Sequence, residues 1–170
     1  AFLEKIGILS KINFDIEEVG EPIPFKWGKC KLATVSFGHG ITTTPLQLAK
    51  AYAIISNGGF AVEPSLIKSE LKNNQQKKRI IKAGISEKIN LILRKIVTTK
   101  EGTAGLVNIE GYEVGGKTGT AQKTVLGGYS KAKVNTFAGI FPTSNPKYVL
   151  IVLLDEPKTS SDYVYEYKNK

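Results

Sequence analysis

Between residues 112 and 154 the chain reads as three extended segments, and the connections between them restrict the fold more than any other feature. The segments are residues 112–121, 134–141 and 148–154, with Thr143-Ser-Asn-Pro146 between the last two. Parallel neighbours need a crossover of a dozen or more residues, usually a helix. The second connection is too short for one. The first spans about 12 residues, but its Gly127-Gly128 pair argues for a hairpin rather than a crossover. The sequence therefore predicts an antiparallel sheet.

Two helical patterns supply a layer to pack on it. Thr44 reads as an N-cap, Pro45 takes the first helical position, and Gln47 completes a capping box. The body, residues 46–55, is apolar nearly all round, which predicts a buried helix rather than a surface one. Asn57-Gly58-Gly59 stops it with residues that tolerate positive φ. Residues 60–62 and 66–68 read as a short extended pair, and the polar run over 72–79 as a solvated loop. A second helix begins at Ser86, with Ile89, Ile92, Leu93 and Ile96 on one face. The first 40 residues read as irregular, since Pro22, Pro24 and Gly28 break any period. The fold class expected is α/β (α+β), an antiparallel sheet with helices packed on its faces and no internal repeat.

Composition excludes several alternatives. At 170 residues there is room for one domain, with no second. One Cys (Cys30) and one His (His39) can assemble neither a disulfide framework nor a Cys/His zinc site. Cys30 reads as inert, and His39 as a loop residue with no partner acid in its turn. The net charge of +9 invites a nucleic-acid partner, but only Arg79 and Arg94 are arginines among 24 basic residues. Arginine is the residue that reads base edges and stacks on bases, so no nucleic acid is expected. The chain opens with neither a signal peptide nor Met and reads as a piece of something longer.

Lys117 admits two readings. Gly111-Tyr-Glu-Val-Gly-Gly116-Lys117-Thr118 matches the phosphate-loop pattern, and Val152-Leu-Leu-Asp155-Glu156 imitates an Mg²⁺-holding segment. That loop needs a helix starting at the lysine, and the Gly- and Thr-rich run after Lys117 is a poor helix by propensity. A P-loop nucleotide hydrolase is therefore the remote alternative. Lys117-Thr118-Gly119-Thr120 reads better on an exposed strand edge. Gly119 there lets a ligand approach the backbone, hydroxyls and an ammonium suit a carboxylate, and an outward N–H can stabilise an oxyanion. K-T-G is one of the motifs of penicillin-binding proteins and class A β-lactamases.

Further segments agree in order and spacing. Ser36-Phe-Gly-His-Gly-Ile-Thr-Thr-Thr-Pro-Leu-Gln-Leu-Ala-Lys-Ala-Tyr52, Ile54-Ile-Ser-Asn-Gly-Gly59, Gly102-Thr-Ala104, Gly116-Lys-Thr-Gly-Thr-Ala-Gln122, Phe137-Ala-Gly-Ile-Phe-Pro142 and Asp155-Glu-Pro157 together resemble class B penicillin-binding proteins, most of all the cell-division, septal peptidoglycan D,D-transpeptidase type. The resemblance implies the C-terminal portion of one transpeptidase domain over residues 1–170, in a membrane-anchored enzyme whose catalytic part is periplasmic. It implies peptidoglycan stem peptides and β-lactam antibiotics as ligands, division and wall-synthesis membrane proteins as partners, and no cofactor or metal. Lys117 would supply positive potential to the substrate carboxylate, the Thr118 and Thr120 hydroxyls would bind that carboxylate beside Gly119, and the Thr120 N–H would form half of an oxyanion hole. Gly102 and Thr103 would border the cleft. A non-catalytic half-domain that binds division or wall-synthesis partners is the alternative from another class.

The family also needs a serine activated by a lysine one helical turn later. Ser65-Leu-Ile-Lys68, Ser69-Glu-Leu-Lys72 and Ser130-Lys-Ala-Lys133 fit literally. None is expected to open a helix, which is how the two side chains would meet on one face. In the family this motif precedes the segment that begins here, so the resemblance implies a nucleophile outside this chain, and the fragment alone is expected to be inactive.

Overall fold

The computed structural model describes residues 2–17, 19–20, 23, 26–28, 30–68, 78–125 and 128–158. Three strands, β1 (Gly115–Val125), β2 (Gly128–Phe141) and β3 (Tyr148–Asp155), form one antiparallel sheet in the order β1-β2-β3. The strands run longer than the apolar pattern predicted. β2 begins six residues before Val134, so Ser130 lies in a strand and not in a connector. The start of β1 is later than expected. Gly111 (φ +83°) and Glu113 (φ +48°) take left-handed conformations, which turn the chain where the pattern suggested strand. That turn rests on the β2–β3 connection: the Thr143 N–H donates to the Glu113 carbonyl at 3.0 Å, and the Glu113 carboxylate accepts from the Ser144 hydroxyl and N–H. The two bonds from Ser144, the hydroxyl first, hold the Glu113 pKa below its ordinary value.

The register sets Thr118 opposite Phe137, Thr120 opposite Asn135 and Phe137 opposite Val152. Directly opposed residues share a face, so Gly116, Thr118 and Thr120 lie on one side of β1 and Lys117 and Gly119 on the other. The Phe137 ring lies across Gly116 and Gly139; a Cβ on Gly116 would sit 2.4 Å from that ring. On the opposite side a Cβ on Gly115 would meet the backbone N of Arg94 at 3.0 Å. Glycine at 115 and 116 is what lets β1 be packed closely from both sides.

Helix α3 (Pro45–Ser56) has the predicted start. The Gln47 N–H donates to Thr44 Oγ1 at 3.2 Å and the Thr44 N–H donates to Gln47 Oε1 at 2.8 Å. Only Pro45 of its residues is exposed, which fits the buried reading. The Gln47 amide also donates to the carbonyls of Ile8 (3.3 Å) and Ser10 (2.7 Å), fastening the N-terminal segment over the helix. Ile6, Ile8, Ala51, Ile54 and Ile81 form the core there.

Helix α4 runs over Ala83–Thr98, starting three residues earlier than expected, and its buried face is rotated from the expected one, sharing Leu93 with it and leaving Ile89 and Ile96 half-buried. Ser86, Asn90, Leu93 and Val97 are buried, whereas Ile92 is 57% exposed. The reason is the end of α3, whose last carbonyls need donors. The Ser86 hydroxyl donates to the Ile55 carbonyl and accepts from the Gly58 N–H at 3.0 Å; the Asn90 amide donates to the Ser56 carbonyl at 3.1 Å. Two polar side chains, Ser86 and Asn90, therefore join Leu93 and Val97 on the buried side, and Ile92 is turned out. α3 packs on β2 and β3, α4 on β1, and the helices touch each other.

Other expectations are corrected. The first 40 residues contain two short helices, α1 (Phe2–Lys5) and α2 (Lys31–Ser36). Phe60 bridges Arg79, not residues 66–68, and the Arg79 guanidinium stacks 4.0 Å from the Phe60 ring centre. Gly59 makes this possible, because a Cβ there would collide with the Ile81 carbonyl. Most of the loop expected over 72–79 lies outside the described residues.

Candidate functional site

Lys117-Thr118-Gly119-Thr120 lies within β1, which is an edge of the described sheet. The Lys117 ammonium turns back on its own strand and donates to the Thr118 carbonyl at 2.5 Å. Thr118 is half-buried, while Lys117, Gly119 and Thr120 are exposed. Among the described residues no strand pairs with β1 along its outer side.

The segment after α4 approaches that row. The Gly102 N–H donates to the Thr99 carbonyl at 3.1 Å, and its Cα lies so close to the α4 backbone that a Cβ would fall 1.9 Å from the Ile96 carbonyl oxygen. Only glycine fits there. The next residue, Thr103, is thereby set against β1, with its Oγ1 2.9 Å from Thr118 Oγ1. The family resemblance implies that Gly102 and Thr103 border the cleft, but nothing in the sequence pointed to this hydroxyl pair, whose members stand 15 residues apart.

β1 continues as strand through Lys117 to Val125, so no helix begins at the lysine. Asp155 and Glu156, the acids of the phosphate-loop imitation, pair instead with Lys123 at 2.8 and 2.7 Å. Their hydrogen bonds, Asp155 first, raise the Lys123 pKa. Periodicity missed this clasp, because it joins β1 to the end of β3 across β2. The phosphate-loop geometry is absent. ATP with Mg²⁺ at millimolar concentration is expected neither to raise the melting temperature nor to be hydrolysed; a saturable ATP-dependent shift would revive that reading.

The three Ser-x-x-Lys matches fare differently. Ser65 sits in non-helical chain and donates to Asp15 Oδ2 at 2.7 Å. Ser130 is in β2, where its oxygen accepts from the Ala132 N–H at 3.1 Å. Ser69 lies outside the described residues. His39 lies between the rings of Phe37 (5.7 Å) and Tyr129 (5.4 Å), an aromatic contact that joins the loop before α3 to the start of β2. Cys30 is exposed and free, just ahead of α2. No described helix is long and apolar enough to cross a membrane.

Comparison with known proteins gives a consistent picture. The family described as the penicillin binding protein transpeptidase domain matches residues 2–169. The chain is 36% identical over 140 residues to "Probable peptidoglycan D,D-transpeptidase PenA" of Neisseria flavescens, covering 81% of this chain and 34% of that protein. It is 31% identical over 170 residues to "Probable peptidoglycan D,D-transpeptidase FtsI" of Caulobacter vibrioides, covering 95% and 29%. The chain thus spans about a third or less of the curated relatives it matches. Among solved structures, the transpeptidase domain of Burkholderia pseudomallei penicillin-binding protein 3 superposes with a TM-score of 0.83 at 28% identity, covering 92% of this chain and 48% of that one. Penicillin-binding protein 3 of Mycobacterium tuberculosis, solved with aztreonam, gives 0.82 at 28% identity, covering 92% and 39%.

Proposed function

The chain belongs to the penicillin-binding protein transpeptidase family, and from that premise we propose that residues 1–170 are the C-terminal portion of a serine-type peptidoglycan D,D-transpeptidase domain of the division type. In this reading a serine and its lysine from elsewhere in the protein complete the site. The serine oxygen attacks the carbonyl of a D-alanyl-D-alanine stem peptide, the terminal D-alanine leaves as the amine, and an ester remains. The amine of a second stem peptide then takes the acyl group, forming the cross-link and freeing the serine. A β-lactam acylates the same oxygen by ring opening. The domain faces the periplasm in a protein anchored in the cytoplasmic membrane, where it meets division and wall-synthesis proteins.

The observation that carries the reading is the exposed Lys117-Thr118-Gly119-Thr120 row on an outer strand. Lys117 donates to the Thr118 carbonyl, which fits a carbonyl turned away from β2. The N–H and C=O of one strand residue point to the same side, and the direction repeats every second residue. The Thr120 N–H then also points outward, as an oxyanion donor must. Thr118 and Thr120 share one face of this edge and Lys117 stands beside Thr118 on the other face; an ammonium with two hydroxyls suits the terminal carboxylate of the peptide. The similar structure solved with aztreonam supports a β-lactam as a ligand of such a domain.

The test is transpeptidation by the full-length protein. With a stem peptide ending in D-alanyl-D-alanine and an amine acceptor, D-alanine release and a cross-linked product are expected by mass spectrometry. Neither product forming under conditions where the protein is folded would overturn the reading.

A further inference from the structure

We infer that Thr103 is a positioning residue for Thr118: it sets the direction of the Thr118 hydroxyl proton so that this proton is offered to a ligand carboxylate. The inference rests on the function proposed above. A threonine hydroxyl has one proton and two acceptor lone pairs, and its rotor is otherwise free. A Thr118 hydroxyl without a partner would spend part of its time with the proton turned away from the ligand. Thr103 Oγ1 lies 2.9 Å from Thr118 Oγ1, within the range of a good hydroxyl–hydroxyl bond. A carboxylate accepts and cannot donate. With a carboxylate bound, the Thr118 proton goes to the carboxylate, and the Thr103 proton goes to Thr118 Oγ1. The chain of two bonds then has one direction only.

The geometry that places Thr103 is stiff. Thr103 follows Gly102, which is pressed against the Ile96 carbonyl and bonded to Thr99, and precedes the buried Ala104. Thr118 is held by the β1–β2 ladder opposite Phe137. Each hydroxyl is thus fixed from a different element, the end of α4 and the edge of the sheet. A positioning role for one on the other needs this arrangement, because a flexible partner would not restrict the rotor.

The experiment uses the full-length protein and measures the second-order rate of acylation by benzylpenicillin. Thr103→Val, which keeps the shape and removes the hydroxyl, is expected to slow acylation about five- to tenfold, the loss for one neutral hydrogen bond. Thr103→Ser is expected to restore the rate to within about twofold of the original. In a Thr118→Val background, Thr103→Val is expected to add nothing, since its target is gone. Acylation by the methyl ester of benzylpenicillin, which lacks the carboxylate, is expected to be slower from the outset and unaffected by Thr103→Val. An unchanged rate for Thr103→Val, a full additional loss in the double variant, or an equal loss with the ester would each overturn the inference. Should Thr103→Val lower the melting temperature markedly, Thr103→Ala and Thr103→Ser decide: equal rates for these two overturn it. An unsubstituted, folded protein that is not acylated at all would defeat the function proposed above, and this inference with it; acylation that ignores Thr103 defeats this inference alone.

Discussion

Lys117→Ala in the full-length protein is expected to slow β-lactam acylation at least a hundredfold while leaving the fold intact. The ammonium is exposed, and its bond in this structure is to the carbonyl of the next residue. Removing it leaves no buried group unsatisfied, so stability has little reason to change. Its contribution appears only when an anion is bound. Charge-assisted bonds to a carboxylate contribute about 1.5–3 kcal/mol each, and a tenfold rate change corresponds to about 1.4 kcal/mol. Loss of one or two such bonds, with loss of the positive potential around the reacting centre, reaches the hundredfold range. The measurement is the acylation rate constant alongside a thermal melt. Unchanged kinetics in a folded variant would remove Lys117 from the site.

The second large effect concerns the chain of residues 1–170 by itself, which is expected to take no covalent label from a fluorescent penicillin. Acylation needs an activated serine about 3–3.5 Å from the lactam carbonyl, and that placement accounts for much of the rate. Ser65 is committed to Asp15 in non-helical chain and Ser130 lies in β2, so neither has a lysine one helical turn away on its own face. Lys117, Thr118 and Thr120 remain to act on one carboxylate. A few polar contacts on an open strand must offset the lost freedom of the ligand, which points to affinity of about millimolar or weaker. The isolated chain also exposes apolar surface: Leu150, Val152 and Leu154 are 48%, 41% and 54% accessible on one face of β3, and self-association is expected. The assay is incubation, denaturation and mass spectrometry. Stoichiometric label on Ser65, Ser69 or Ser130 would show the nucleophile to be in this chain; strong label on a version extended toward the N-terminus, with none here, is the expected result.

Much of the architecture was readable because its causes are local. A two-way hydrogen bond between Thr44 and Gln47 is a property of four consecutive residues, and α3 begins where that pattern says. The connection from Phe141 to Tyr148 is too short for a crossover, and β2 and β3 are antiparallel. What failed depended on partners far along the chain. The apolar period of α4 pointed to Ile92, yet Ser86 and Asn90 were drawn inward by unsatisfied carbonyls at the end of α3, about 30 residues earlier. The pattern ran β1 back to Tyr112, but the turn at residues 111–113 is held by Thr143 and Ser144, on the other side of β2.

The sequence by itself determined the antiparallel order of the strands, the start of α3, and the Lys117-Thr118-Gly119-Thr120 row with its family resemblance. Each of these is written in neighbouring residues: a cap, a short connection, a spaced set of side chains and glycines. Only the tertiary structure decided which face of α4 is buried and that Thr103 meets Thr118. Those outcomes depend on where distant backbone groups leave a hydrogen bond unmade, or leave room for no more than a glycine, as the Ile96 carbonyl does at Gly102. Periodicity records which residues avoid water, but it does not record which remote carbonyl or hydroxyl will be waiting for them.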